Sequence, residues 1–120
     1  MPERPVPPRE IAPLEFFSRW LPAVVAADPT RQERLGAMAA TLQFDLIGDD
    51  GGSYLLRVES GRVSGGPGPG EAVDLRLELD VTTWRALNDG TLSAPEAFLR
   101  RRLRVHGNFV LALKLQLIIG

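Results

Sequence analysis

Residues 73–80 read Val-Asp-Leu-Arg-Leu-Glu-Leu-Asp. Successive side chains on a strand point to opposite faces, so Val73, Leu75, Leu77 and Leu79 share one face and Asp74, Arg76, Glu78 and Asp80 the other. A strand built this way needs a sheet with one side packed and one side wet, which predicts an antiparallel sheet covered on one side only. The same alternation recurs. Leu42, Phe44 and Leu46 alternate with Gln43 and Asp45. Tyr54, Leu56 and Val58 alternate with Leu55, Arg57 and Glu59. Leu103 and Val105 alternate with Arg102, Arg104 and His106. Asp49-Asp50-Gly51-Gly52 is a hairpin turn signal, and Ser60-Gly61 turns the chain into a third strand at Arg62-Val63-Ser64. Residues 65–70, Gly-Gly-Pro-Gly-Pro-Gly, are expected to form a loop outside regular structure.

Helical patterning flanks these strands. Residues 14–27 read as a helix in which Pro22 removes a donor and should kink or break the turn. Asp28-Pro29 is a cap followed by a first-turn proline, and a helix to about Thr41 is expected behind it, with Leu35, Met38, Ala39 and Leu42 on one side. Asp80 caps a helix from Val81 to Asp89 that ends at Gly90, and Ser93-Ala94-Pro95-Glu96 is a capping box for a short helix with Ala97, Phe98 and Leu99. The run from Phe109 to Ile119 is apolar except for Lys114 and Gln116. Its leucines alternate as in a strand, yet a buried helix has the same composition, and periodicity leaves both open. At eleven residues it is shorter than the roughly 20 that a bilayer requires.

Composition removes several kinds of chemistry. The chain has 120 residues, no Cys and one His, His106, which excludes disulfide scaffolds, thiolate zinc sites and multi-His metal centres. Lys and Arg total 14 against 15 Asp and Glu, without the basic surplus that nucleic-acid binding needs. No Ser sits in a nucleophile-elbow motif beside His106. The Asp49–Gly52 turn lacks calcium-loop spacing, and Gly66–Gly70 lacks the Lys and Ser/Thr of a phosphate loop. No catalytic residue, metal or cofactor is expected. Residues 1–12 read as a Pro-rich flexible segment and 13–120 as one domain. The start has no secretory h-region, and a cytoplasmic location is expected.

Gly107-Asn108-Phe109-Val110-Leu111-Ala112-Leu113-Lys114-Leu115-Gln116 closely resembles the closing motif of the sterol carrier protein type 2 domain. Asp74, Leu87, Gly90, Ala97-Phe98 and Leu103-Arg104-Val105 fall in register with that family, as do Phe44, Tyr54 and Gly61 further upstream. The likeness covers about residues 38–118. It implies an α+β fold: a five-stranded, mostly antiparallel sheet with helices on one face enclosing an apolar tunnel, the last segment being a helix that closes it. It implies binding of a fatty acyl chain, acyl-CoA, sterol-like or isoprenoid lipid without catalysis. Two features depart from the family pattern. Arg101 stands where many relatives have Gly, and the sequence reaches Gly120 without the Ser-Lys-Leu-type tripeptide of peroxisomal members, so peroxisomal targeting is not expected.

On this resemblance the expected ligand-binding residues are Phe44, Leu56, Leu77, Phe98, Phe109, Leu113, Gln116 and Leu117, with Gln116 offering an amide to a head group. Phe16, Phe17 and Trp20 either gate the tunnel mouth or staple their helix down. Arg100, Arg101, Arg102 and Arg104 either pair with Glu59, Glu78 and Asp80 or meet an anionic membrane surface or a CoA phosphate. A second reading is an accessory subunit of a lipid- or quinone-pathway enzyme assembly, docking a partner enzyme or a second copy through the apolar C-terminal segment.

Overall fold

The computed structural model describes residues 5–114. The alternating segments form one sheet in the order β3-β2-β1-β4-β5, from β1 (Ala39–Ile47), β2 (Gly52–Glu59), β3 (Arg62–Pro67), β4 (Leu75–Asp80) and β5 (Leu103–Gly107). Three neighbouring pairs are antiparallel, as the one-sided patterning predicts, but the central pair, β1 and β4, is parallel. A parallel pair needs a crossover. Here it is the Gly/Pro-rich stretch, which straps across the outer face of the sheet. The Gly68 amide donates to the Ser53 carbonyl at 2.8 Å and the Gly70 amide to Gln43 Oε1 at 3.1 Å. Gln43 is thereby buried on the otherwise charged face, its own amide donating to Asp45 at 2.9 Å.

The rest of that face is held by ions. Arg76 meets Asp45 at 3.0 Å and Glu78 at 3.4 Å, and Arg104 approaches Glu78 at 3.6 Å. Partial burial pushes the Asp45 carboxyl up, but hydrogen bonds from Gln43, Arg76 and Ser53 and the Arg76 charge outweigh it, so its pKa lies below the ordinary carboxylate value.

All the helices pack on the other face. The first begins as α1 (Pro13–Glu15), widens through a π-helical segment (Phe16–Trp20) and returns as α2 (Leu21–Ala26). The widening answers Pro22: the Leu21 amide reaches back five residues to the Phe16 carbonyl, and the helix continues across the proline instead of breaking. Phe16 and Phe17 are both buried, the second at 1% exposure, and Phe17 packs on Phe44 and Tyr54 of the sheet. Helix α3 (Pro29–Leu35) starts at the Asp28 cap but ends six residues earlier than expected. Gly36 adopts φ 55°, and the chain enters β1 at Ala39. Leu35, Ala40 and Leu42 are buried, but from a helix end and a strand rather than from one helical face.

The Gly65-Gly66-Pro67 stretch also departs from expectation, since it lies within β3. A Cβ on Gly65 would sit 2.1 Å from the Phe17 carbonyl oxygen, so glycine lets the π-helical backbone rest directly on the strand. Pro67 is tolerated because β3 is an edge strand.

Beyond β4, Asp80 caps α4 (Val81–Asp89), accepting from the Thr83 amide at 2.6 Å, and Gly90 ends it in the left-handed region. That bond lowers the Asp80 pKa against a smaller opposing effect of burial, helped by the Thr83 side chain and the Arg102 charge. Ser93 caps α5 (Ala94–Leu99), where Glu96 pairs with Arg100 at 2.9 Å. The Gly107-Asn108 pair explains itself physically. Gly107, at φ 112°, passes so close to Asp74 that a Cβ would lie 2.7 Å from its carbonyl oxygen. Asn108 then caps a helix, α6 (Phe109–Lys114), its side chain accepting from the Leu111 amide at 3.2 Å. The described part of the closing segment is therefore helical, as the family resemblance implies.

Candidate functional site

The sheet is covered unevenly. Over β2 and β3 the first helix packs tightly and the core is closed, with Leu56 and Val58 fully buried. Over β1, β4 and β5 a cavity of about 320 Å³ remains. Phe44, Leu77, Leu79, Leu103 and Val105 form its floor. Phe16, Phe17 and Leu21 wall one side, and Trp84, Leu87 and Asn88 project from α4. Ala94, Pro95, Phe98 and Leu99 of α5 and Phe109, Ala112 and Leu113 of α6 complete it. A volume of this size is at the lower end of ligand pockets, which run roughly 300–1,000 Å³.

The lining is apolar throughout except for the indole of Trp84 and the amide of Asn88. It contains no acid, base or hydroxyl among the described residues. The α5 and α6 side is the mouth: Phe98, Phe109 and Leu113 line the cavity yet are 42%, 49% and 61% exposed, and Leu99 is 79% exposed.

Of the residues expected to bind ligand, the structure brings Phe44, Leu77, Phe98, Phe109 and Leu113 together around this cavity. Leu56 does not line it, because β2 lies on the half of the sheet that the first helix closes. Gln116 and Leu117 lie outside the described residues. Phe16 and Phe17 do more than staple: they anchor the first helix through edge-on contacts with each other and of Phe16 with Trp84, and they also form cavity wall. Trp20 stacks on Phe16 at 5.4 Å behind that wall.

The arginine cluster is largely committed to neighbours. Arg100 meets Glu96, Arg104 meets Glu78, and Arg102 donates to the Thr83 hydroxyl at 3.1 Å. Arg101 takes φ 61°, the left-handed region in which Gly is free of strain, as the Gly expected there from the family resemblance would be. Lys114 and His106 are exposed. Among the described residues no cluster of His, Cys, Asp or Glu is placed to hold a metal, and no helix is long and apolar enough to cross a membrane.

Sequence reasoning missed Trp84, Leu87 and Asn88. Their spacing of three and four residues places them on one face of α4, and that was the signal available.

The model of the SCP-2 sterol transfer family matches residues 18–120. The chain belongs to this family. Hydroxysteroid dehydrogenase-like protein 2 of Mus musculus is 31% identical over 94 residues, covering 77% of this chain and 19% of that protein. The chain thus spans about a fifth of the length of the curated relatives it matches. Among solved structures, palmitated SCP2L2 from Aedes aegypti superposes with a TM-score of 0.69 at 19% identity, covering 89% of this chain and 94% of that one. The sec-alkylsulfatase Pisa1 from Pseudomonas sp. contains the same fold, with a TM-score of 0.74 at 18% identity over 93% of this chain but only 17% of the enzyme. The five-stranded α+β architecture of sterol carrier protein type 2 is therefore the architecture of this chain.

Proposed function

We propose that this SCP2-family chain is a non-catalytic lipid carrier that holds one apolar chain in the cavity over β1, β4 and β5. The observation that carries this reading is the cavity itself: about 320 Å³, apolar but for the Trp84 indole and the Asn88 amide, with its mouth ringed by exposed apolar side chains. At roughly 30 Å³ per water-sized group it takes about ten methylenes. Burial at about 0.8 kcal/mol per methylene supplies the attraction without any specific polar contact. The palmitated state of the Aedes aegypti protein supports the same use of the fold. Exposed Leu99, Phe109 and Leu113 at the mouth, with Arg101 and Lys114 close to them in the chain, form the face from which lipid enters out of an anionic bilayer.

Native mass spectrometry of the purified protein, followed by lipid extraction, tests the reading. A bound mass that extracts as one lipid class supports it. A ligand-free mass together with no saturable binding of a fluorescent fatty acid overturns it.

A second reading, an accessory subunit of a larger enzyme assembly, is favoured by one observation: relatives carry this fold within much longer enzymes. In that case Phe109→Asp, a charge placed on the exposed rim, abolishes assembly in size-exclusion chromatography.

A further inference from the structure

Asn88 is the one amide on the cavity wall, and it also lines a second space. Along the flank of α4, next to the apolar cavity, lies a polar groove of about 600 Å³, bordered by Arg9, Glu10, Asp50, Arg85, Asn88 and Asp89. Asn88 thus stands where the apolar interior meets the polar exterior, away from the mouth between α5 and α6. Among the described residues its side-chain amide has no hydrogen-bond partner.

We infer that Asn88 receives the polar end of the bound lipid, and that this end is an uncharged hydroxyl-type group rather than a carboxylate or phosphate. This rests on the lipid-carrier reading. Three features lead to the class. An amide both donates and accepts, which matches a hydroxyl. The groove beside it has two positive and three negative side chains, so it offers an anion no net attraction. The cation on α4, Arg85, commits one guanidinium nitrogen to the chain: it donates to the carbonyls of Arg9 at 2.9 Å and Ile11 at 3.1 Å, and the guanidinium lies 5.2 Å from the Trp84 ring centre.

The test compares three ten-carbon probes, 1-decanol, decanoate and 1-chlorodecane, by displacement of a fluorescent lipid at pH 8. In the unmodified protein 1-decanol should bind more tightly than the other two. Asn88→Leu, similar in size, should weaken 1-decanol by roughly three- to ten-fold, the worth of one net hydrogen bond, and leave 1-chlorodecane unchanged. Should the variant not fold, the Asn88 side-chain amide resonances of the unmodified protein give the answer, shifting with 1-decanol and not with 1-chlorodecane. Tighter binding of decanoate, or equal effects of Asn88→Leu on all three probes, overturns the head-group assignment while leaving the carrier reading intact. If none of the three displaces the probe, both are overturned.

Discussion

Filling the cavity from the α6 side should separate binding from folding. Ala112 lines the cavity and its side chain stops at Cβ. Ala112→Phe adds a phenyl ring, on the order of 100 Å³ at interior packing density, to a space of about 320 Å³. Room for about ten methylenes then falls to about seven. A ten-carbon ligand would lose burial of about three methylenes, roughly 2.4 kcal/mol or about fiftyfold in Kd. Displaced carbons still rest against the exposed side chains of the mouth, so the expected loss is at least about tenfold, on the order of 1.4 kcal/mol. The ligand-free protein gains packing in a space that was empty, so its Tm should hold or rise by a few degrees. The assay is displacement of a fluorescent lipid, with thermal unfolding measured on the same preparations. Val105→Phe, which enters the same space from the sheet, should act in the same direction. If either variant folds with unchanged Tm and binds a ten-carbon chain as the unmodified protein does, the ligand does not occupy this cavity.

Other substitutions probe how the frame around the cavity is built. Arg101→Gly removes the strain of a side chain at φ 61°; an αL cost of about 1–2 kcal/mol, less the added flexibility of the unfolded chain, leaves a stabilisation of about 0–1 kcal/mol in denaturant titration. Gly65→Ala would push a Cβ against the Phe17 carbonyl, 2.1 Å away, and should cost about 1–3 kcal/mol by the same measurement because backbone must move. Asp80→Ala should cost about 1 kcal/mol at neutral pH through loss of the α4 cap. The folded-state pKa of Asp80 lies below its ordinary value of 3.8, so its contribution is complete above that value and is lost as pH falls through the lowered one. Asp80→Asn, which keeps the cap without the titration, should flatten the acid limb of stability against pH.

The strands were legible because period-2 alternation has one structural meaning: Leu75, Leu77 and Leu79 are all buried, as their spacing demands. Alternation names a face, however, and not a position across the sheet. Leu42, Leu56 and Leu77 share the inner face, but only Leu77 borders the cavity. Lateral order depends on the β3-to-β4 crossover, whose Gly/Pro composition signals only irregular backbone. The same blindness hid Gly65 and Gly66, which a reading of local preference removes from any strand. What keeps them in β3 is the Phe17 backbone above, a contact between residues nearly fifty positions apart. Helix α3 was overrun because Leu35, Met38, Ala39 and Leu42 fit a helical stripe as well as a helix end followed by a strand. Gly36 decides between them, and it carried the left-handed φ that ends the helix.

The cavity follows from two unlike ways of covering one sheet. On the β2–β3 side the helix is long enough to lie flat, and two local irregularities bring it down onto the strands. The π-helical turn before Pro22 accommodates two consecutive buried phenylalanines, and Gly65 removes the side chain that would hold the backbone off. On the β4–β5 side the cover is pieced from α4, α5 and the described part of α6, of nine, six and six residues. Each short piece is fixed by its own cap, Asp80, Ser93 or Asn108, and by little else in common. Each of these short helices touches the strands, through buried Trp84, Ala97 and Leu111, while their other apolar side chains face one another across the cavity. Phe98 and Phe109, 5.5 Å apart between ring centres, join α5 to α6 at its rim. The closed half of the molecule supplies stability, which leaves the open half free to hold something other than itself.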